Sequence, residues 1–300
     1  LRKILFALRF AVYNKVLHHN DIPFVRELFD CLRRKQVEVV LYRPFAESLV
    51  EWLPLPEPVQ QFETHEDFAR LQCDFFVSLG GDGTILDSMT IVRDSKVPIV
   101  GVNLGRLGFL ANVEKPTMLA SIEALLQGSY QLDARSLLHL ESNRPLFGSF
   151  NFALNDCTIL KRDTSSMVII HTFINGEFLN SYWADGIIVA TPTGSSGYSL
   201  SCGGPIVFPN SDNFIITPVA PHNLNVRPIV ISDASVISFE VEGRGRNFLC
   251  TLDSRYETIE GNDQLAVRKA DFMAYLVRFP GRNFLKTIRD KLSWGADIRN

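Results

Sequence analysis

Residues 73–84 read Cys73-Asp74-Phe75-Phe76-Val77-Ser78-Leu79-Gly80-Gly81-Asp82-Gly83-Thr84, and this stretch decides how the chain folds. Its first half is a short apolar run of the kind that forms a buried strand. Its second half is a glycine-rich turn that opens into a helical pattern from Thr84 to Arg93. Glycines lack Cβ, so Gly81 and Gly83 let anionic oxygens approach backbone N–H groups closely. Asp82 places a carboxylate in that anion-friendly loop. A carboxylate beside phosphates repels them, and it is useful there if it orients a hydroxyl about to be phosphorylated or helps to hold a metal ion. The same five residues also read as a tight turn in which Asp82 caps the following helix.

Outward from this loop the N-terminal part alternates strand and helix patterns. Ile4–Phe10 and Val37–Tyr42 read as strands, and Asn20–Lys35 carries a helical stripe of Phe24, Val25, Leu28, Phe29 and Leu32. A long loop with Pro44, Pro54, Pro56 and Pro58 follows, then the 74–79 strand, a strand at Val97–Val102 and a helix at Pro116–Leu126. Such alternation predicts a parallel sheet with helices on both faces, whose ligands sit beyond the carboxyl ends of the strands. Both glycine-rich turns, at Gly80 and Gly105, lie at those ends. From about Gln131 the pattern changes to short alternating runs. Asn175-Gly176 between two of them is a hairpin signal, and Ile237, Phe239 and Val241 alternate with polar residues. Further strands are expected at Phe248–Leu252, Gln264–Val267 and Met273–Val277. The expected fold class is α/β plus β: a parallel α/β domain over 1–130, a β-rich, sandwich-like domain over 131–278, and a tail over 279–300 with a helix at Phe284–Trp294.

The 300 residues are 46% hydrophobic with a formal net charge of −3, enough apolar content for a large core and no basic patch for nucleic acid. Five cysteines, Cys31, Cys73, Cys157, Cys202 and Cys250, are scattered without CxxC pairs, so neither a disulfide framework nor a zinc site is expected. Reduced thiols fit the cytoplasm. No apolar run reaches the roughly 18 residues of a membrane span, and Leu1–Phe10 lacks the features of a signal peptide. A chain beginning at Leu1 is expected to lack a few native residues before it.

The first strand has no GxGxxG after it, and GxxxxGK[ST] occurs nowhere, so any phosphate binding uses neither common device. A second landmark runs from Asp185 to Pro205, where an apolar strand enters a turn dense in Gly, Ser and Thr. A short helix is expected from about Ser195. Hydroxyls beside a helix N-terminus suit an anion or a sugar, and Tyr198 offers a stacking face for a nucleobase. Read blandly, this is a serine-rich loop. A third landmark is Asn155-Asp156, an amide and a carboxylate able to bind vicinal hydroxyls, though such pairs are also common in turns.

The segments GGDGT, LGRLGFL, ALNDCTI, DGIIVATPTGSSGYSLSCGGPIV and PHNLNVRPIV occur here in the order found in NAD kinases, and in this the chain resembles that family over nearly its whole length. The resemblance implies an N-terminal α/β and a C-terminal β domain. It implies transfer of the γ-phosphoryl of ATP to the adenosine ribose 2′-hydroxyl of NAD, a divalent metal such as Mg2+, and a homodimer or homotetramer. Some bacterial members also take polyphosphate. Matched residue by residue, Asp82 is the base near the 2′-hydroxyl. With an ordinary Asp pKa of about 3.9, such a group orients the hydroxyl and takes its proton late. Gly81, Gly83 and Thr84 belong to the same nucleotide-binding loop, and Phe109 lines the site. Asn155 and Asp156 match the pair that holds the adenosine ribose, with Asp156 one methylene shorter than the family's Glu. Asp185 matches the aspartate near the nicotinamide. Thr193, Ser196, Gly197 and Tyr198 match the adenine loop, where the family often has Ala at the place of Gly197. Asp253-Ser254 matches an Asp-Gly pair beside the reacting phosphate, Ser254 being a departure. Arg106 reads either as a phosphate ligand or as a solvated loop residue. His222 and Arg227 read better as local hydrogen-bond and ion-pair partners. GGDGT also occurs in lipid kinases of the diacylglycerol and sphingosine type, and a module that senses NAD or NADP without turnover is the other alternative.

Overall fold

The computed structural model describes residues 8–53, 59–105, 108–162, 167–243, 245, 247–281 and 283–294. In chain order the elements begin β1 (Arg9–Tyr13), α1 (Ile22–Arg34), β2 (Glu38–Tyr42), α2 (Arg43–Leu49), β3 (Gln61–Phe62), α3 (His65–Arg70), β4 (Phe75–Gly80), α4 (Asp82–Val92) and β5 (Ile99–Asn103). They continue with β6 (Val113–Glu114), α5 (Met118–Leu126), β7 (Gln131–Arg135), β8 (Leu138–Ser142), β9 (Phe152–Ala153), β10 (Asp156–Lys161), β11 (Val168–Ile174), β12 (Glu177–Ala184) and β13 (Gly186–Ala190). The last are α6 (Tyr198–Ser201), β14 (Asn213–Val219), β15 (Ile229–Ser232), β16 (Ile237–Gly243), β17 (Asn247–Leu252), β18 (Arg255–Glu260), β19 (Leu265–Lys269), β20 (Ala274–Arg278) and α7 (Phe284–Leu292). Two compact units divide the chain, one formed by 1–134 with 275–300 and the other by 135–274.

The first unit is built on a sheet ordered β3-β2-β1-β4-β5-β20-β7, with β6 also on β5. β1 pairs in parallel with β2 and β4, and β4 with β5. Strands of such a sheet are covered on both faces, and β4 is accordingly buried over Phe75–Leu79. Phe10, Leu28, Leu32, Leu41, Phe45, Val77, Val100 and Ile122 join one core, where burying each large apolar side chain contributes ~1.5–3 kcal/mol. The sheet order reverses between β1 and β4, so the crevice beyond their carboxyl ends is the topological switch point where ligands bind. The Gly80–Thr84 loop leaves β4 there. Asn14, buried just after β1, donates from Nδ2 to the Leu79 carbonyl at 2.7 Å and ties the two strand ends together.

The second unit holds two antiparallel sheets, β15-β14-β13-β10-β17-β18 and β12-β11-β16-β19-β8-β9. Inward residues of both, among them Ile159, Ile187, Phe214 and Cys250 from the first and Leu140, Ile170, Phe239 and Val267 from the second, share one core. Asn175 and Gly176, with φ of 53° and 82°, form the tight turn between β11 and β12 that the Asn-Gly pair predicts.

Two expectations need correction, the proline-rich loop and the sheet that Met273–Val277 joins. The proline-rich stretch is not one long loop. α2 has Pro44 in its first turn, where the missing N–H costs nothing, and α3 opens with a Thr64/Asp67 capping box; residues 54–58, with Pro54, Pro56 and Pro58, lie outside the described residues. Of the strand expected at Ile4–Phe10, residues 4–7 lie outside the described residues, and Arg9 and Phe10 belong to β1, which continues to Tyr13. The strand expected at Met273–Val277 within the β-rich region is β20, which pairs in parallel with β5 in the first sheet. The short helix expected from about Ser195 is present, as a 3-10 turn at Gly194–Ser196 followed by the single turn of α6.

Candidate functional site

In the first unit, Asp82 is the first residue of α4, and its carboxylate is held by the loop after β5. Oδ2 accepts from the Phe109 amide at 2.7 Å, and Oδ1 accepts from Leu110 and Ala111 at 2.9 and 3.0 Å. A carboxylate oxygen has two lone pairs, so among the described residues Oδ1 is saturated and Oδ2 keeps one position open. Gly108 makes the approach possible, because a Cβ there would lie 1.9 Å from Asp82 Oδ1. Asp82 therefore braces one glycine-rich turn against the other, and its remaining acceptor position belongs to a partly exposed side chain.

Gly81 and Gly83 show no such packing demand. A Cβ at either would meet nothing within 4 Å, so what they keep is open space beside backbone N–H groups. Thr84 turns its hydroxyl back onto the loop, accepting from the Gly81 amide at 3.3 Å. The Phe109 ring is half-buried, with the Lys291 ammonium 4.7 Å from its centroid. Arg106 lies outside the described residues.

In the second unit three distant segments meet. Asp253, in the turn between β17 and β18, has a left-handed φ of 53°. Its carboxylate accepts from the amides of Leu154, Asn155 and Asp156 at 2.9, 2.7 and 3.2 Å. Burial pushes the Asp253 carboxyl above its ordinary range, against those donors, which favour the charged form. Asp156 is itself buried, and burial together with the Asp253 charge raises its carboxyl to about 7. The Asp185-to-Pro205 segment closes over the same place. Thr191 donates from N to Asn155 O at 2.9 Å and from Oγ1 to Leu154 O at 2.6 Å. Gly194 must be glycine here, since a Cβ would lie 2.0 Å from Asn155 O. A Cβ on Gly197 would lie 3.9 Å from both Asn155 Nδ2 and Asp156 Oδ2, so the amide and the carboxylate flank this glycine together. Tyr198 beside it is exposed.

Several hydroxyls of that loop serve its own fold. Ser195 Oγ bonds Pro192 O and Val207 N, Ser199 Oγ bonds Thr217 Oγ1, and Ser196 Oγ reaches Thr193 O at 3.4 Å. Thr193 Oγ1 accepts from Arg135, a buried guanidinium that the sequence pattern did not single out. Asp185 stands at the other end of β13, about 16 Å along the strand at ~3.3 Å per residue, and pairs with Lys161 at 2.6 Å. Ser254 is exposed in the Asp253 turn. Arg227 donates to the Leu224 and Val226 carbonyls, and His222 donates its amide to Trp183 O.

Two family models match the chain: the ATP-NAD kinase N-terminal domain over residues 11–130 and the ATP-NAD kinase C-terminal domain over 154–279. An NAD kinase of Cytophaga hutchinsonii is 48% identical over 97% of this chain and 99% of the relative. An NAD kinase of Flavobacterium psychrophilum is 42% identical over 98% and 100%. Among solved structures, yeast NADH kinase complexed with NADH superposes with a TM-score of 0.88 at 23% identity over 98% of this chain and 89% of that one, a likeness of fold. An NAD kinase from Archaeoglobus fulgidus in complex with ATP gives 0.71 at 26% identity, over 95% and 99%.

Proposed function

The chain belongs to the ATP-NAD kinase family, and we propose that it transfers the γ-phosphoryl of ATP to the adenosine ribose 2′-hydroxyl of NAD, making NADP. The observation that carries this reading is the Asp82 carboxylate, fixed by three backbone amides at the switch point with one acceptor position on Oδ2 left open by the described residues. Phosphoryl transfer passes through a loose transition state, and catalysis consists mostly of positioning and charge stabilisation. A rigid carboxylate with a single open acceptor position suits such chemistry, since it fixes the direction of a hydroxyl and receives its proton as the new bond forms. The open space at Gly81 and Gly83 admits phosphate oxygens to backbone donors.

The second unit carries the dinucleotide in this reading. Asn155 and Asp156 take the ribose hydroxyls, and Tyr198 with the Thr193–Gly197 turn takes the adenine. With its carboxyl raised to about 7, Asp156 is able both to donate to and to accept from a hydroxyl near neutral pH. Asp185, one strand length away, suits the nicotinamide end of an extended dinucleotide. Asp253 supports the site by clamping the Leu154–Asp156 backbone rather than by facing a ligand, and Ser254 is the nearer candidate for phosphate.

Among the described residues no three His, Cys, Asp or Glu side chains gather into a metal cage. Mg2+ keeps phosphate and water ligands, so it would be held chiefly by the ATP phosphates, leaving the open Asp82 position to the hydroxyl. When bound, the metal would neutralise charge on the ATP phosphates. Exposed Phe178 and Trp183 on edge strand β12 favour a homodimer or homotetramer that covers them. The free cysteines favour a cytoplasmic enzyme. The test is incubation of the purified protein with NAD, ATP and Mg2+, with product read by an NADP-specific dehydrogenase. NADP formation matched by ADP is expected; a folded protein that binds NAD and forms no NADP with ATP or polyphosphate would overturn the reading.

A further inference from the structure

We propose that Lys291, presented by α7, is a further phosphate-binding residue of the Asp82 site; this rests on the kinase reading above. Its ammonium lies 3.8 Å from Asp82 Oδ2. That is too long for a hydrogen bond and within range of an electrostatic attraction that solvent partly screens. The same nitrogen sits 4.7 Å from the centroid of the Phe109 ring, and a cation over an aromatic face is held without using its N–H donors. Among the described residues Lys291 has no hydrogen-bond acceptor, so the three donors of its ammonium remain available at a partly exposed position.

The helix holds the cation in place. α7 is capped by Asn283, whose side chain accepts from the Lys286 amide at 2.8 Å. It is anchored by buried Ile288 and by contact of Phe284 with Phe109, ring centroids 6.3 Å apart. Phe109 also donates its amide to Asp82 Oδ2. Phe109 therefore fixes both charges, one through its ring and one through its backbone. The chemistry requires such a cation: a carboxylate at the mouth of a glycine-rich phosphate loop repels the polyphosphate, and an ammonium beside it offsets that repulsion and offers donors to a phosphate oxygen.

The test compares Lys291→Met, which keeps length and removes charge, with Lys291→Arg in the full chain. One charge-assisted hydrogen bond contributes about 1.5–3 kcal/mol, so Lys291→Met is expected to raise KM for ATP, and Kd for ATP by calorimetry, about 10- to 100-fold. KM for NAD should stay within about 2-fold and Tm near that of the unchanged protein, and Lys291→Arg should recover most of the loss. If Lys291→Met kept the ATP Kd and KM, whether or not Tm fell, Lys291 would be a brace for α7 and the proposal would be wrong. Should Lys291→Met impair folding, Lys291→Gln is read by the same ATP titration. Failure of the kinase reading is separate: the unchanged protein would then form no NADP.

Discussion

The Asp82 carboxylate occupies the space that a side chain on residue 108 would fill, a Cβ built on Gly108 lying 1.9 Å from Asp82 Oδ1. The spacing of LGRLGFL is thus tied to GGDGT through one contact. Gly108→Ala must push the carboxylate off the 109–111 amides. Misplacing a catalytic group by about 1 Å costs about 100-fold, so NADP formation should fall at least that far, with NAD affinity in the unchanged range. Steady-state kinetics with calorimetric NAD binding checks both.

Gly83 gives the opposite pattern. It sits in the first turn of α4 with open space where a Cβ would go. Ala is favoured over Gly in helices by about 1 kcal/mol, so Gly83→Ala should leave Tm unchanged or raised. The methyl group would stand where phosphate oxygens approach, and KM for ATP should rise about 10-fold, an effect equivalent to ~1.4 kcal/mol. Thermal melting beside ATP titration separates the two effects.

Asp253 holds three amides of the Leu154–Asp156 segment. Asp253→Asn replaces one acceptor oxygen by a donor facing an N–H, which should cost about 1.5–3 kcal/mol and weaken NAD binding, because Asn155 and Asp156 lose their alignment. A denaturant midpoint unchanged from the parent would contradict the clamp.

The parallel α/β sheet, the β-rich sheets, the start of α4 and the Asn175-Gly176 turn were all legible, because each rests on local periodicity or turn chemistry. α3 carries its capping signal in Thr64 and Asp67, but it is only six residues long and follows a proline-rich stretch, so its periodicity is weak. β20 was misplaced because its partner β5 lies far back in the chain, and an apolar run does not reveal which sheet it joins. At the site, the motifs were visible but their mutual contacts were not. Only the register, with Asp156 opposite Ala190 and Cys157 opposite Leu252, brings the Asn155, Thr193 and Asp253 segments together. Asn14, Arg135 and Lys291 had no signal at all, being single polar residues whose partners lie tens or hundreds of positions away.

Asp156 makes stability depend on pH. Its carboxyl rises from an ordinary 3.8 to about 7 through burial and the Asp253 charge. Between those values the folded state binds the proton that the unfolded state has released, so stability is highest below about pH 4 for this group and is lost as pH rises towards 7. A shift of this size corresponds to at most about 4 kcal/mol. Asp156→Asn removes the ionisation, and its Tm should exceed that of the parent at pH 8 while matching it near pH 4. Equal pH dependence in both proteins would contradict the assignment.

The most direct test is a single-turnover comparison of the parent and Asp82→Asn, each preloaded with NAD and mixed with ATP and Mg2+. The substitution keeps the size and one acceptor oxygen but removes the charge that receives the hydroxyl proton. General base contributions are typically 100- to 10,000-fold, so NADP formation in the variant should slow by at least about 100-fold while NAD and ATP still bind. A folded Asp82→Asn protein that forms NADP at the parent rate would show that Asp82 serves only to join the two glycine-rich turns, and the catalytic role assigned to its carboxylate would be wrong.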